Sequence, residues 1–176
     1  NGQLVRIGLQ KAMFSSPAAA EISVKQRIAT LQGKGVSADE QAEIEALYSL
    51  QHALRNITPT NFSKYREFLG LLNSKDFGWK KSDTDDRLVI FSERIETLNW
   101  LQGQLQQDLK LKDDAIQILH GGMSDIEQQS IVEAFGKPES KLRVLLCSDV
   151  ASEGINLHYL SHRLVHFDLP WSLMVF

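Results

Sequence analysis

The chain has 176 residues, 43% of them hydrophobic, with a formal net charge of −3. That length suits one ordinary domain or one domain with a helical extension, and the apolar fraction excludes a disordered chain. The charge balance does not announce a nucleic-acid binder, yet it leaves room for a basic groove on one face. One cysteine, Cys147, excludes an internal disulfide and suits a reducing cytosol, so a cytoplasmic location is expected. No apolar run nears the roughly 18 residues that span a membrane, and no membrane association is expected. The start, Asn1-Gly2-Gln3, reads as an arbitrary cut.

In chain order, the first elements are helices. Leu4, Ile7 and Phe14 fall on one helical face, with the stem of Lys11 between them and Gly8 weakening the pattern. Ser16-Pro17 starts a second helix, because Ser16 can cap and Pro17 fits the first turn. It carries Ala18 to about Leu31 and stops at Gly33-Lys34-Gly35. Ser37 with Glu40 three residues on forms a capping box for a third helix, striped by Ile44, Leu47, Leu50 and Leu54. Thr58-Pro59-Thr60 breaks the pattern, and a further helix carries Phe62, Tyr65, Phe68, Leu69 and Leu72. Residues 73–86 read as a polar linker, with Trp79 as an anchor against a flanking domain.

After Asp86 the rhythm changes to strand and helix in alternation. Leu88–Phe91 is a strand, followed by a helix with Ile95, Leu98, Leu101, Leu105 and Leu109 on one face. Ala115–Leu119 is the second strand. Ser124 and Glu127 form another capping box, and that helix stops at Phe135-Gly136 with Pro138 beyond. Arg143–Cys147 and Leu164–Phe167 complete four strands. The alternation predicts an α/β fold with a parallel sheet and helices on its faces. Its boundaries are expected at 1–75 for the helical segment, 76–86 for the linker and 87–176 for the sheet domain.

Three local patterns carry no chemistry. Gly33 to Ser37 joins two helices and lacks the spacing of a phosphate loop. Asp39-Glu40 has no strand before it and sits where carboxylates meet a helix dipole. His158, His162 and His166 share a spacing of four, but a strand would scatter their rings, so no metal site is expected. Cys147 reads as a small core residue.

In a parallel sheet the loops after all four strands open at one edge, where such folds hold ligands. These loops are Ser92-Glu93-Arg94, His120-Gly121-Gly122-Met123-Ser124, Ser148 to Asn156, and Asp168-Leu169-Pro170-Trp171-Ser172. Glycine and short hydroxyl residues let backbone amides approach phosphates, and two of the loops lead into helix N-termini.

The ordered segments VIFSERIETLNWL (89–101), ILHGGMS (118–124), VLLCSDVASEGINL (144–157) and LVHFDLPWS (164–172) resemble the second RecA-like lobe of superfamily 2 helicases. They are most similar to the Swi/Snf group of DNA-dependent ATPases, in particular the bacterial group related to the RNA-polymerase-recycling factor RapA. The resemblance covers residues 87–176, and LQKAMFSSPAA (9–19) is similar to the helical stretch that precedes the lobe in that group.

The resemblance implies an incomplete RecA-like helicase C-terminal lobe in a motor that uses ATP and magnesium. By that likeness Ser92 and Arg94 border the nucleic-acid groove, and His120, Gly121 and Gly122 approach the strand backbone. Ser148 matches a hydroxyl that meets a phosphate. Glu153, Gly154 and Asn156 belong to the loop that couples bound ATP to nucleic acid. A phosphate-tracking loop reads backbone rather than base sequence.

Gln128 departs from many relatives, which carry Arg there, so a contact common elsewhere is in doubt. The resemblance also places the first lobe, with its phosphate loop, and the arginine-finger segment outside these residues. Loss of such an arginine costs roughly 10³–10⁵ in rate in comparable phosphoryl-transfer enzymes. These residues alone are therefore expected to hold no catalytic residue, bind no cofactor and hydrolyse no ATP. Implied partners are double-stranded DNA, the first RecA-like lobe, and RNA polymerase or another protein–DNA complex as the remodelled target. The rival readings are an RNA helicase or restriction-system motor, and a non-enzymatic α/β nucleic-acid-binding module. Glu153 before Gly154, and the DLPWS segment, count against the first.

Overall fold

The structure is a computed structural model that describes residues 2–33, 37–148 and 161–168, with only the backbone of His162. Contacts divide the chain into two compact units, Asn1–Ser63 and Lys64–Phe176.

The first unit holds α1 (Gly2–Ser15), α2 (Pro17–Gln32) and α3 (Ala38–Arg55). Its helix starts follow the sequence signals. The Ser16 hydroxyl accepts the Ala19 amide at 3.1 Å and Pro17 occupies the first turn of α2. Ser37 and Glu40 exchange bonds as a capping box. Glu40 thus has a local role at the helix start, as expected for Asp39-Glu40. Val24, Ile28 and Leu31 of α2 bury against Ile44, Leu47 and Leu54 of α3, with Leu50 partly buried.

The expected apolar stripe of α1 is not its buried face. Leu4 is 74% exposed and Phe14 69% exposed, whereas Ala12 and Ser15 are buried. The helices α1 and α2 meet through small side chains: Ala12, Ser15, Ser16, Ala19 and Ala20 are all nearly inaccessible. Small residues let two helix backbones approach, so here packing overrides hydrophobic periodicity.

The second unit begins with α4 (Ser63–Leu72), which buries Tyr65, Phe68 and Leu72. The expected boundary at 75 thus differs from the compact division at 63/64. The reason is aromatic packing: Tyr65 meets Trp100 edge-on at 4.9 Å, and Phe68 meets Phe167 at 5.3 Å. Residues 73–86 are pinned as well. The Trp79 ring is buried and its indole N–H donates to the Asp86 carbonyl at 3.0 Å. Gly78 turns the chain with φ +67, and Asp86 pairs with Arg163 at 2.5 Å.

The sheet comprises β1 (Arg87–Phe91), β2 (Ile116–Leu119), β3 (Val144–Cys147) and β4 (Ser161–His166), all parallel in the order β2-β3-β1-β4. The helices α5 (Ile95–Asp108) and α6 (Asp125–Gly136) connect them. Val89, Phe91, Leu119, Leu145 and Cys147 form one face, packed against Phe135, Ile131 and Val132 of α6. By strand alternation Leu88, Ile90, Ile116, Val144 and Leu146 form the other, and all five are buried. On α5, which contacts β2 and β3, Leu98, Leu101 and Leu105 are buried. The α/β class and parallel sheet expected from the alternation are observed.

Arg87, at the start of β1, is fully buried. Its guanidinium donates to the carbonyls of Ala134, Phe135, Lys137 and Ser140, where α6 ends. The carbonyls of Ala134 and Phe135 belong to the last turn of α6, which a helix end leaves short of donors, and a cation there also meets the negative end of the dipole.

Candidate nucleic-acid edge of the sheet

Register places four strand ends side by side. Phe91 is opposite Cys147 and His166, and Leu119 is opposite Cys147. The residues that follow, Ser92 to Arg94, His120 to Ser124, Ser148, and Phe167-Asp168, therefore share the carboxyl edge. The expected candidates Ser92, Arg94, His120, Gly121, Gly122 and Ser148 lie within the described residues and come together there. Glu153, Gly154 and Asn156 lie outside the described residues.

Each described candidate has its own environment. Ser148 follows β3, and its amide bonds the Leu119 carbonyl at 3.0 Å. Its hydroxyl is buried and has no hydrogen-bond partner among the described residues. An unmet buried hydroxyl costs about 1–3 kcal/mol, so the position favours an acceptor arriving from outside.

His120 and the two glycines form a tight turn, closed by the Met123 amide on the His120 carbonyl at 3.1 Å. The Gly122 amide donates to His120 Nδ1, also at 3.1 Å. Accepting at Nδ1 places the proton of the neutral ring on Nε2, which can then donate. Beside it runs an open, mostly apolar groove of about 330 Å³, lined by Ile118, Met123 and Ile131 together with Asn99, Gln102 and Gln117. Gln128 donates to the Met123 carbonyl at 3.0 Å and supports this turn.

The start of α6 already carries an anion. Glu127 accepts from the Ser124 amide at 2.9 Å and from its hydroxyl at 2.7 Å. Those bonds hold the Glu127 carboxyl below its usual range. A helix N-terminus that could draw a phosphate is thus occupied by the chain's own carboxylate.

Ser92 differs most from the sequence expectation. It is buried, and its hydroxyl donates to Asp168 Oδ2 at 2.5 Å while accepting the Arg94 amide at 3.2 Å. That hydroxyl hydrogen is committed inside the protein. Arg94 sits at the N-cap of α5 with extended backbone and partial exposure. Asp168, which sequence reading placed in a loop without a role, also accepts the Glu93 amide at 3.2 Å and Lys64 Nζ at 2.9 Å. Burial lowers the Lys64 pKa, and Asp168 partly restores it. The only signal for Asp168 in the sequence was its place after the fourth strand.

Cys147 is buried, and desolvation pushes its thiol up to about 12, which makes it an inert core residue as expected. The His166 ring stacks on Phe91 at 5.1 Å. Among the described residues no three His, Cys, Asp or Glu side chains gather to hold a metal ion, and no helix is long and apolar enough to cross a membrane.

Residues 63–176 match the family model described as the helicase conserved C-terminal domain. The chain belongs to the helicase C-terminal domain family. Its curated relatives include the RNA polymerase-associated protein RapA of Vibrio campbellii, 28% identical over 134 residues, which is 68% of this chain and 13% of that protein. RapA of Vibrio cholerae is 31% identical over 93 residues, covering 52% of this chain and 9% of the relative. The chain thus spans a small part of the length of the relatives it matches. The C-terminal part of the Fun30 ATPase domain shares the fold at a TM-score of 0.53 and 19% identity, over 99% of this chain and 54% of that one. The helicase C-terminal lobe and the RapA-related kinship expected from the four motifs are both found.

Proposed function

We propose that this helicase C-terminal lobe serves a Swi/Snf-type ATP-dependent DNA translocase, where it grips the phosphate backbone of double-stranded DNA. The observation that carries this reading is the Ser148 hydroxyl: buried, unpaired among the described residues, and level with the His120 turn at one sheet edge. Ser148 Oγ–H, His120 Nε2–H and the Arg94 guanidinium are the donors offered to phosphate oxygens. Gly121 and Gly122 keep the His120 turn open to close approach. Such contacts position a strand without reading its bases.

ATP and magnesium belong to the whole motor in this reading. Glu153, Gly154 and Asn156 are the residues proposed to couple nucleotide to DNA grip. The first RecA-like lobe would supply the phosphate loop. RNA polymerase or another protein–DNA complex is the proposed target, by kinship with RapA.

The test is binding of a labelled DNA duplex by anisotropy across a salt series. Affinity should fall linearly in log–log form, with a slope of about −0.9 per phosphate contacted. Ser148→Ala should weaken binding at every salt concentration and leave the slope unchanged, because a neutral hydroxyl releases no counterion, whereas Arg94→Ala should make the slope shallower by about one contact. Binding that ignores salt, or a Ser148→Ala variant with unchanged affinity, overturns the reading. The chain alone should show no DNA-stimulated ATP hydrolysis, and robust turnover would place catalytic groups within it.

A further inference from the structure

The loop after β1 is held by a charge network that neither its local sequence nor its motif explains. Asp168 follows β4, 76 residues from Ser92, and its side chain is only 11% exposed. Oδ2 takes the Ser92 hydroxyl and the Glu93 amide, and Oδ1 takes Lys64. Ser92 passes the constraint on by accepting the Arg94 amide. Arg94 then starts α5 through its carbonyl, which accepts the Leu98 amide at 3.1 Å. Lys64 Nζ also lies 4.1 Å over the Phe167 ring, and Phe68, one turn further along α4, packs edge-on against that ring. The first turn of α4 thus holds both residues that follow β4.

We propose that Asp168 is a positioning residue for the nucleic-acid edge: with Lys64 as its counter-ion, it locks Ser92-Glu93-Arg94 and so sets where Arg94 meets a phosphate. The proposal rests on the nucleic-acid reading above and gives Ser92, expected from the sequence at the nucleic-acid groove, the role of holding the loop. A carboxylate bonded to two donors beside a helix start is favoured by charge-assisted hydrogen bonding and by the α5 dipole. Lys64 neutralises it, so Asp168 itself adds no unpaired negative charge to that edge.

The experiment measures amide hydrogen exchange and duplex DNA affinity on the same variants of the full chain. Asp168→Ala should speed exchange at Glu93 and Arg94 by about tenfold or more, the loss expected for a hydrogen bond to a charged acceptor, and leave Val89 and Ile90 unchanged. Asp168→Asn, which keeps one acceptor oxygen, should restore part of that protection. DNA affinity should drop in Asp168→Ala, and adding Arg94→Ala should cost little more, because both changes remove one contact. Should Asp168→Ala fail to fold, Ser92→Ala carries the same test, for it removes the link to Arg94 and leaves the carboxylate paired. Unchanged exchange at Glu93 and Arg94, or fully additive DNA losses, overturns the proposal. If the unaltered chain binds no DNA, the nucleic-acid reading falls, and the exchange measurement separately decides whether Asp168 holds the loop.

Discussion

The His120 ring accepts the Gly122 amide through Nδ1 at 3.1 Å, and a Cβ at Gly122 would lie 3.1 Å from that same nitrogen and 3.2 Å from Cε1. Gly122 is therefore favoured by close approach of the ring and not by an unusual backbone angle. Gly122→Ala should turn the ring by a few tenths of an ångström or more and release the Nε2–H tautomer. Nitrogen chemical shifts of His120 would report a mixed tautomer, with a stability change within about 1 kcal/mol because the turn is exposed. An unchanged tautomer signature would mean that the bond does not set it.

Ser148→Ala should leave the fold as stable or raise stability by up to about 1 kcal/mol, since it removes a buried hydroxyl that no described residue satisfies. Denaturant unfolding checks this. A clear loss of stability would reveal a structural partner for that hydroxyl.

Arg87 joins β1 to the end of α6 through main-chain carbonyls alone. Arg87→Met keeps apolar bulk and leaves the Phe135 carbonyl without its donor, while Ala134, Lys137 and Ser140 keep the Lys137 amide, the Ser140 amide and Arg143, so the cost should be about 1–3 kcal/mol. Arg87→Lys should recover only part, because an ammonium cannot reproduce the planar fork. Urea midpoints of the three proteins would rank them, and equal midpoints would refute the cap.

The capping box of α6 should depend on pH. The Glu127 carboxyl lies below its ordinary value of 4.5 in the fold, so its contribution is present above that value and is lost as pH falls through the lower, folded one. Glu127→Gln should remove this acid-sensitive component, seen as a smaller decrease in α6 amide protection between neutral and acid pH.

Cys147 has the opposite sign. Its thiol is raised from 9.0 to about 12 by burial, so the neutral form stabilises the fold below pH 9 and that contribution fades as pH rises towards 12. Alkylation at neutral pH should follow global unfolding, and rapid labelling of the folded chain would contradict the core assignment.

Hydrogen bonds between near neighbours were readable in the sequence. Ser16 with Ala19, Ser37 with Glu40 and Ser124 with Glu127 each close over three residues, and each forms as its residue types dictate. The strand–helix alternation likewise determined a parallel sheet, and with it the gathering of the motif loops at one edge. Only the tertiary structure could decide which donors at that edge remain available. Ser92 and Asp168 are 76 residues apart, and the register of β1 with β4 brings them together. Packing made the other late decisions. The α1–α2 contact chose Ala12 and Ser15 over Leu4 and Phe14, and aromatic contacts drew α4 into the sheet unit. Periodicity says which face of a helix is apolar. How closely two backbones approach, and which buried carboxylate meets which hydroxyl, depends on distances that a linear sequence does not carry.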